Sequence, residues 1–162
     1  MRPALALLLI LVHSVASAGT LTGRVVRVTD GDTIVVLDAD NAQHKIRLTG
    51  IDAPERKQAF GTKSKEHLSD AVAGKSVVVE YSKRDYYKRI LGKVLLSGED
   101  MNLEQLRAGL AWHYKKYQKE QSPADRDIYS KTELDARESE RGLWRAPNPV
   151  PPWEWRRQGS HH

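Results

Sequence analysis

The sequence predicts a small α+β domain that is mainly β. Paired runs of β-branched and apolar residues indicate antiparallel strands, and three other segments carry helical spacing or helix-start signals. The chain has 162 residues, enough for one domain with a substantial core, and it shows no internal repeat or low-complexity linker. We therefore expect a single domain.

The N-terminal eighteen residues, 1–18, have the pattern of a signal peptide. Arg2 gives a positive start, Leu5–Val12 is apolar, and Ala16-Ser17-Ala18 matches an A-x-A cleavage site. An uncleaved membrane anchor is the alternative, but the apolar run is short for a bilayer span. We expect a mature domain over residues 19–158 that is periplasmic or secreted and has no stable membrane association.

Five segments are predicted as strands. They are Thr22–Thr29, Ile34–Leu37, Ile46–Leu48, Ser76–Tyr81 and Ile90–Leu96. The second and third form a hairpin that turns near Asp40-Asn41-Ala42. This turn predicts a register in which Asp32 lies opposite Gly50 and beside Asp52. Within the third strand, Arg47 is expected to point away from the core.

Three segments are predicted as helices: Thr62–Ala73, Met101–Gly109, and one from the N-cap Ser122 to about Arg141. Leu143 and Trp144 should then enter the core, and the proline-rich tail from Pro147 through Trp155 should be extended. The last four residues, 159–162, have the composition of a tag remnant. A five-stranded OB-fold barrel with about three helices fits this order, although the pattern by itself does not decide it.

Acidic residues gather at two predicted strand boundaries. Asp32 lies in Asp30-Gly31-Asp32-Thr33, and Asp52 lies just after the break at Gly50. Two carboxylates and a backbone carbonyl, such as that of Ala53, are hard oxygen ligands that suit Ca²⁺ or Mg²⁺. An ordinary Asp-Gly turn is the alternative for the first segment. An EF-hand is excluded because the acidic spacing stops after two residues.

The remaining candidates are basic, acidic and aromatic. Arg47 and Arg89 could bind phosphate in a bidentate way, or be ordinary surface charges. Glu55 could be a general base or a loop acid. Three of the six histidines lie within the predicted domain, and they have no zinc-like spacing: His44, His67 and His113.

Two basic segments, Lys83–Arg89 and Lys115–Lys119, interleave lysines with tyrosines in or beside them. Such segments could stack bases, although partly buried aromatic edges are equally ordinary. The tyrosines concerned are Tyr86, Tyr87, Tyr114 and Tyr117. With a formal net charge of +5, this clustering favours a polyanionic partner.

Taken together, these motifs resemble the staphylococcal nuclease (thermonuclease) family. The resemblance rests on Asp-Gly-Asp-Thr, on Arg-Leu-Thr-Gly-Ile-Asp-Ala-Pro-Glu at Arg47–Glu55, and on the Asp-x-Tyr-x-Arg-x-Leu-Gly run at Asp85–Gly92. Gly-Leu-Ala-Trp at Gly109–Trp112 and Gly-Leu-Trp at Gly142–Trp144 extend it. The resemblance implies an OB-fold barrel and Ca²⁺-dependent cleavage of DNA and RNA that leaves 3′-phosphates.

Matching positions carry the family's roles to this chain. The metal ligands fall on Asp32, Asp52 and the Ala53 carbonyl, the phosphate-binding arginines on Arg47 and Arg89, and the catalytic glutamate on Glu55. Substrate contacts fall on Tyr87 and on one of Tyr114 and Tyr117. Lys88, in the same basic loop as Tyr87, is expected to contact substrate through its charge. The chain departs from the family's pattern at three positions. Ala53 stands where the founding member has a threonine, Lys88 where a glycine is usual, and Tyr86 where a basic residue is common. A non-catalytic OB-fold nucleic-acid-binding protein and a Ca²⁺-stabilised structural domain are the rival interpretations. We expect a monomer.

Overall fold

The computed structural model describes residues 18–159. The predicted signal peptide up to residue 17 and residues 160–162 of the predicted tag remnant lie outside the described residues. Within the described range, no helix is both long and apolar enough to cross a membrane.

Five long strands form the main sheet: β1 (Gly19–Asp30), β2 (Thr33–Leu37), β3 (Gln43–Leu48), β5 (Ser76–Arg84) and β6 (Ile90–Leu96). Their spatial order is β3-β2-β1-β5-β6. A parallel pairing of β3 with β6 joins the two edges, with Ile46 opposite Ile90. The sheet is therefore closed, and the predicted five-stranded OB-fold barrel is confirmed. Three two-residue strands complete the sheets: β4 (Ile51–Asp52), β7 (Glu99–Asp100) and β8 (Trp112–His113).

The register of the β2–β3 hairpin differs from the predicted one by two residues. Asp32 lies opposite Leu48, whose amide donates to the Asp32 carbonyl at 2.8 Å, and not opposite Gly50. The turn closes over residues 38–42, where a left-handed Asn41 (φ 61°) tightens it. A shift of two residues keeps every side chain on its original face of a strand. Arg47 therefore still points away from the core, as predicted.

Buried aliphatic side chains fill the barrel, and helices cover it. The most deeply buried strand residues are Val25, Ile34, Val36, Ile46, Leu48, Val77, Val79, Ile90 and Val94. The helices are α1 (Gly61–Val72), α2 (Met101–Arg107), α3 (Pro123–Glu138) and α4 (Pro152–Gly159), with 3-10 turns at Lys115–Glu120 and Gly142–Arg145. The predicted helix over 62–73 is thus confirmed as α1.

One buried side chain ties the β3 end to β6. The Asn102 amide nitrogen donates to the carbonyls of Thr49 (2.9 Å) and Gly92 (3.1 Å), and its oxygen accepts from the Val94 amide (3.1 Å). Asn102 is fully buried. Because Thr49 directly precedes the segment that carries Asp52, this side chain fixes the position of that segment on the barrel.

Two predictions about the C-terminal region are wrong. Helix α3 begins as predicted, with the Ser122 hydroxyl accepting from the Asp125 amide at 3.0 Å, but it ends at Glu138 and not near Arg141. It ends early because Glu140 (φ 49°) and Gly142 (φ 55°) adopt left-handed conformations. Leu143 is buried, as expected.

The tail is not extended throughout, since it ends in α4. The prolines over 147–151 lack helical structure, but Pro152 occupies the first position of the helix, where a missing amide hydrogen costs nothing. Glu154 in the first turn and Arg156 and Arg157 in the last turn also suit the helix dipole. The prolines before α4 therefore led to the wrong prediction of an extended tail.

Candidate active site

A sharp reversal after β3 carries Asp52 to the end of the barrel. Gly50 has φ 75°, and a side chain there would also meet Gln121, so only glycine suits the position. The next two residues form β4, in which Asp52 pairs with Trp112 of β8. This places Asp52 beside the turn that carries Asp32.

Two buried carboxylates meet there. Asp52 has 0% of its surface exposed, and Asp32 is nearly as buried. The Asp32 carboxylate accepts from the Ala53 amide at 2.7 Å and from the Thr33 hydroxyl at 3.0 Å. Burial raises the pKa of Asp52, and the charge of Asp32 adds to that rise against the opposing effect of nearby arginines. Burial and Asp32 also raise the pKa of Asp30 to about 7. The site therefore favours any cation that can approach the acids.

Arg47 spans both carboxylates. Its Nη1 lies 3.1 Å from Asp32 Oδ2 and its Nη2 donates to Asp52 Oδ1 at 2.9 Å. Nη1 also donates to the carbonyls of Leu48 and Ile51, each at 3.0 Å. The side chain is only 14% exposed, so water screens these contacts little. Arg47 thus stabilises the chain reversal after β3 and also offsets the negative charge of the two carboxylates.

Glu55 is more accessible, with 40% of its side chain exposed. Its amide donates to the Gln58 side-chain oxygen at 3.1 Å, and the Gln58 nitrogen donates to the Val150 carbonyl at 2.6 Å. The C-terminal tail therefore helps to hold the loop that presents Glu55. A carboxylate held in this way can exchange protons with water.

Arg156 of α4 is a site residue that sequence reasoning missed. Its Nη2 donates to Asp52 Oδ2 at 2.7 Å, and its Nη1 donates to Asp52 Oδ1 at 3.2 Å and to Glu55 Oε1 at 2.7 Å. Burial alone would lower its pKa, but the bonds to Asp52 and Glu55 outweigh burial and raise the pKa further above its usual value. In a helix, the three-residue spacing of Trp153 and Arg156 places both side chains on one face, which could have indicated that they act together. In an extended tail the same spacing places them on opposite faces, so the pattern was not recognised.

Arg89 lies in a different part of the site. Its Nε donates to Asp85 Oδ2 at 2.7 Å, and its guanidinium lies 5.6 Å from the centre of the Tyr87 ring. Although burial acts to raise it, the pKa of Asp85 is lowered because its bonds with Arg89 prevail. Arg47 is opposite Leu91 in the β3–β6 pairing, so the Arg89 loop borders the strand of Arg47. Within residues 18–159, the ion pair of Arg89 is with Asp85 and not with Asp32 or Asp52.

The predicted substrate residues fall into two groups. Tyr86 and Tyr87 are exposed at the tip of the β5–β6 loop, beside Lys88, which has φ 61°. Tyr114 and Tyr117 follow β8 and meet edge to face, with ring centres 5.0 Å apart. One face of Tyr114 is already occupied, because Trp153 of α4 stacks on it at 5.3 Å and 9°.

An open cleft of about 620 Å³ extends from Arg156. Among residues 18–159, those that line it are aromatic or basic and none is acidic: Trp112, His113, Tyr114, Lys115, Lys116, Arg137, Trp153, Arg156 and Arg157. Such a lining suits a polyanion with flat rings. Because Arg156 lines the cleft and also contacts Asp52 and Glu55, the cleft adjoins the carboxylate site.

The donor chemistry fits a hard cation. Asp32 and Asp52 offer carboxylate oxygens, with the Ala53 carbonyl next in the chain, and guanidinium groups already lie against these oxygens. Among the described residues, no cluster of three or more His, Cys, Asp or Glu side chains could hold an ion. An ion bound by so few protein ligands would keep several waters.

Comparison with known proteins identifies the family. A sequence model described as "Staphylococcal nuclease homologue" matches residues 45–146, well over half of the chain. The chain belongs to the staphylococcal nuclease family. The matched span includes Arg47, Asp52, Glu55 and Arg89, and it ends before α4. Membership makes the chain a phosphodiester-hydrolysing nuclease, so the predicted family and enzyme class are confirmed.

Bacterial relatives of this nuclease cover most of its length. A protein named "Uncharacterized endonuclease" from Escherichia coli is 47% identical over 135 residues, which is 83% of this chain and 84% of the relative. A Haemophilus influenzae protein with the same name is 41% identical over 152 residues, 94% of this chain and 82% of the relative. A Shigella flexneri protein named "Micrococcal nuclease" is 37% identical over 167 residues, which is 98% of this chain and 93% of the relative.

Proposed function

We propose that this nuclease is an exported, Ca²⁺-dependent endonuclease that cleaves DNA and RNA and leaves 3′-phosphate ends. One observation carries the proposal: two buried carboxylates, an arginine that spans them and an accessible glutamate converge at one end of the barrel. A metal-assisted attack of water on a phosphodiester needs these components. The ends of the products follow from the family resemblance.

Asp32, Asp52 and the carbonyl of Ala53 would hold the ion. Bound Ca²⁺ would supply Lewis-acid polarisation of a phosphoryl oxygen. Both carboxylates are buried and lie against guanidinium groups, Asp32 against Arg47 and Asp52 against Arg47 and Arg156, which shows that this end of the barrel attracts cations. Without a cation nearby, two buried like charges would repel each other.

Glu55 would accept the proton of the attacking water. The water oxygen forms a bond to phosphorus, the bond to the 5′ oxygen of the next nucleotide breaks, and that oxygen takes up a proton from solvent. A positioned general base is worth roughly 10²–10⁴-fold. The anchoring of Glu55 by Gln58 supports this role, and its bond to Arg156 must open before it can act.

Arg47 and Arg89 would bind the scissile phosphate. Arg89 engages Asp85 through Nε, which leaves its two terminal nitrogens in the paired geometry that suits a phosphate. Arg47 uses Nη1 and part of Nη2 inside the protein, which leaves Nε and one Nη2 hydrogen. By analogy with oxyanion donors, each arginine is worth about 10²–10³-fold.

A purely binding OB-fold domain is the weaker alternative. Three carboxylates beside a phosphate site, those of Asp32, Asp52 and Glu55, would repel nucleic acid and reduce affinity. Hydrolysis gives each of them a use, whereas binding gives none. Family membership favours hydrolysis as well.

The proposed export is supported by the position of β1. This strand begins at Gly19, which pairs with Tyr81, so cleavage after Ala18 would leave the strand complete. Mass spectrometry of the protein from its native host should find Gly19 at the amino terminus. A chain that still begins at Met1 would contradict export with cleavage.

One experiment tests the activity. End-labelled DNA and RNA oligonucleotides are incubated with the purified protein in Ca²⁺ or in excess chelator, and the product ends are analysed. We expect internal cleavage only with Ca²⁺, and 3′ ends that a polymerase extends only after phosphatase treatment. Full activity in chelator would exclude the metal role, and products extended without phosphatase would exclude 3′-phosphates.

A further inference from the structure

Helix α4 lies outside the matched family region and yet reaches the centre of the site. Its Arg156 contacts both oxygens of Asp52 and one of Glu55. Nothing in the proposed mechanism uses this guanidinium. Its position on the metal-ligand carboxylate and on the base therefore needs an explanation of its own.

The contacts of α4 indicate that Arg156 is held at this position. Trp153 stacks on Tyr114 at 5.3 Å and packs edge-on against Trp112 at 5.6 Å. Residues three apart lie on the same helical face, so the anchoring of Trp153 directs Arg156 toward the carboxylates. Pro152 is buried as well. The guanidinium is thus placed by packing of the helix, although 42% of the side chain is exposed.

A divalent ion and Arg156 would use the same carboxylate. Ca²⁺ binds carboxylate oxygens at about 2.3–2.6 Å, and the Nη2 of Arg156 lies 2.7 Å from Asp52 Oδ2. Oδ1 of Asp52 is already shared between Arg47 and Arg156. Two cations this close on one carboxylate repel each other, so binding of the ion weakens the bond to Arg156.

We infer that Arg156 is an internal counter-ion that competes with the divalent ion for Asp52 and so sets the affinity of the metal site. The inference rests on the proposed function, because it takes Asp52 as a metal ligand. Release of Arg156 from Asp52 also loosens its bond to Glu55, because one guanidinium makes both contacts. Loss of this contact would leave the Glu55 carboxylate free to act as the base.

Calcium affinity of the full chain, measured by isothermal titration calorimetry without substrate, tests the inference. Arg156→Gln removes the competing guanidinium and should tighten the Kd for Ca²⁺ roughly tenfold, about 1.4 kcal/mol. Arg157→Gln is the matched control, because it removes the same charge from the same helix at a side chain that is 74% exposed. It should change the Kd by less than about twofold.

Two further variants separate the possible failures. Trp153→Leu keeps every charge but removes the ring that anchors α4, so Arg156 should be held less firmly and Ca²⁺ should bind more tightly, by a smaller factor than in Arg156→Gln. If Arg156→Gln does not fold, Trp153→Leu tests the inference in its place. Unchanged affinity in the folded Arg156 and Trp153 variants, or equal changes for Arg156→Gln and Arg157→Gln, would overturn the competition. Asp52→Asn should abolish binding; if it binds Ca²⁺ like the parent, the metal assignment of the proposed function is wrong instead.

Discussion

Arg47→Lys keeps the positive charge between the two carboxylates but removes the planar fork that spans them. The guanidinium makes four short contacts, with Asp32, Asp52 and the carbonyls of Leu48 and Ile51. A single ammonium nitrogen cannot reach both carboxylates and both carbonyls. We expect at least two of these contacts to be lost.

The structure sets the size of the effect. Hydrogen bonds that involve a charged group contribute about 1.5–3 kcal/mol each, and at 14% exposure of Arg47 the solvent screens little of that. Because lysine recovers part of the loss, the free energy of unfolding should fall by roughly 2–4 kcal/mol. Urea unfolding followed by the fluorescence of the four tryptophans measures it.

Arg89→Lys is the control. Arg89 is paired with Asp85 at 26% exposure, and loss of this pair should cost less than about 1 kcal/mol. Both variants should slow single-turnover cleavage by about 10²–10³-fold, because both lose bidentate phosphate binding. If Arg47→Lys unfolds within about 0.5 kcal/mol of the parent, Arg47 does not brace the reversal and the reasoning is refuted.

Three other predictions follow from single contacts. Asn102→Ala should lower the free energy of unfolding by about 3 kcal/mol in urea, because it leaves the buried Val94 amide and the partly buried Thr49 carbonyl without their partner. A loss under about 1 kcal/mol would contradict the role of Asn102 in joining the β3 end to β6. Lys88→Gly should raise the unfolding free energy by about 0.5 kcal/mol, since relief of the left-handed conformation (φ 61°) slightly exceeds the entropy cost of glycine; a destabilised variant would contradict it. Burial lowers the pKa of His113 below 6.5. As the pH falls below 6.5, the histidine of the unfolded chain gains a proton while the native ring stays neutral. The stability that His113 contributes above pH 6.5 is therefore lost as the pH falls below that value. An NMR titration should therefore find the midpoint of His113 below 6.5, and a midpoint above it would show that the ring is not desolvated.

The sequence allowed the strands and the acidic site to be predicted because both depend on local patterns. Alternation and turn residues mark the strand boundaries, and Asp32 and Asp52 each adjoin such a boundary. The register error of two residues did no harm, because a shift of two preserves which face each side chain occupies. The error itself arose because a turn region can be identified from its composition, whereas a left-handed Asn41 decides how many residues it contains.

The contribution of α4 could not be predicted in the same way. Arg156 and Asp52 are 104 positions apart, and no local pattern records that they meet. The stacking of Trp153 on Tyr114 likewise depends on where the tail packs. Prolines near the start of α4 also favoured an extended chain locally, although tertiary packing and a proline at the first helical position permit a helix.

The most direct test of the catalytic site is the single-turnover cleavage rate of Glu55→Gln. The substitution keeps the shape of Glu55 and an oxygen able to accept from Arg156, but removes its basicity. At saturating Ca²⁺ and oligonucleotide, with the affinity for each measured separately, cleavage should slow by about 10²–10⁴-fold while both affinities stay within a few-fold of the parent. Cleavage at the parental rate would contradict the assignment of Glu55 as the base and, with it, the proposed mechanism.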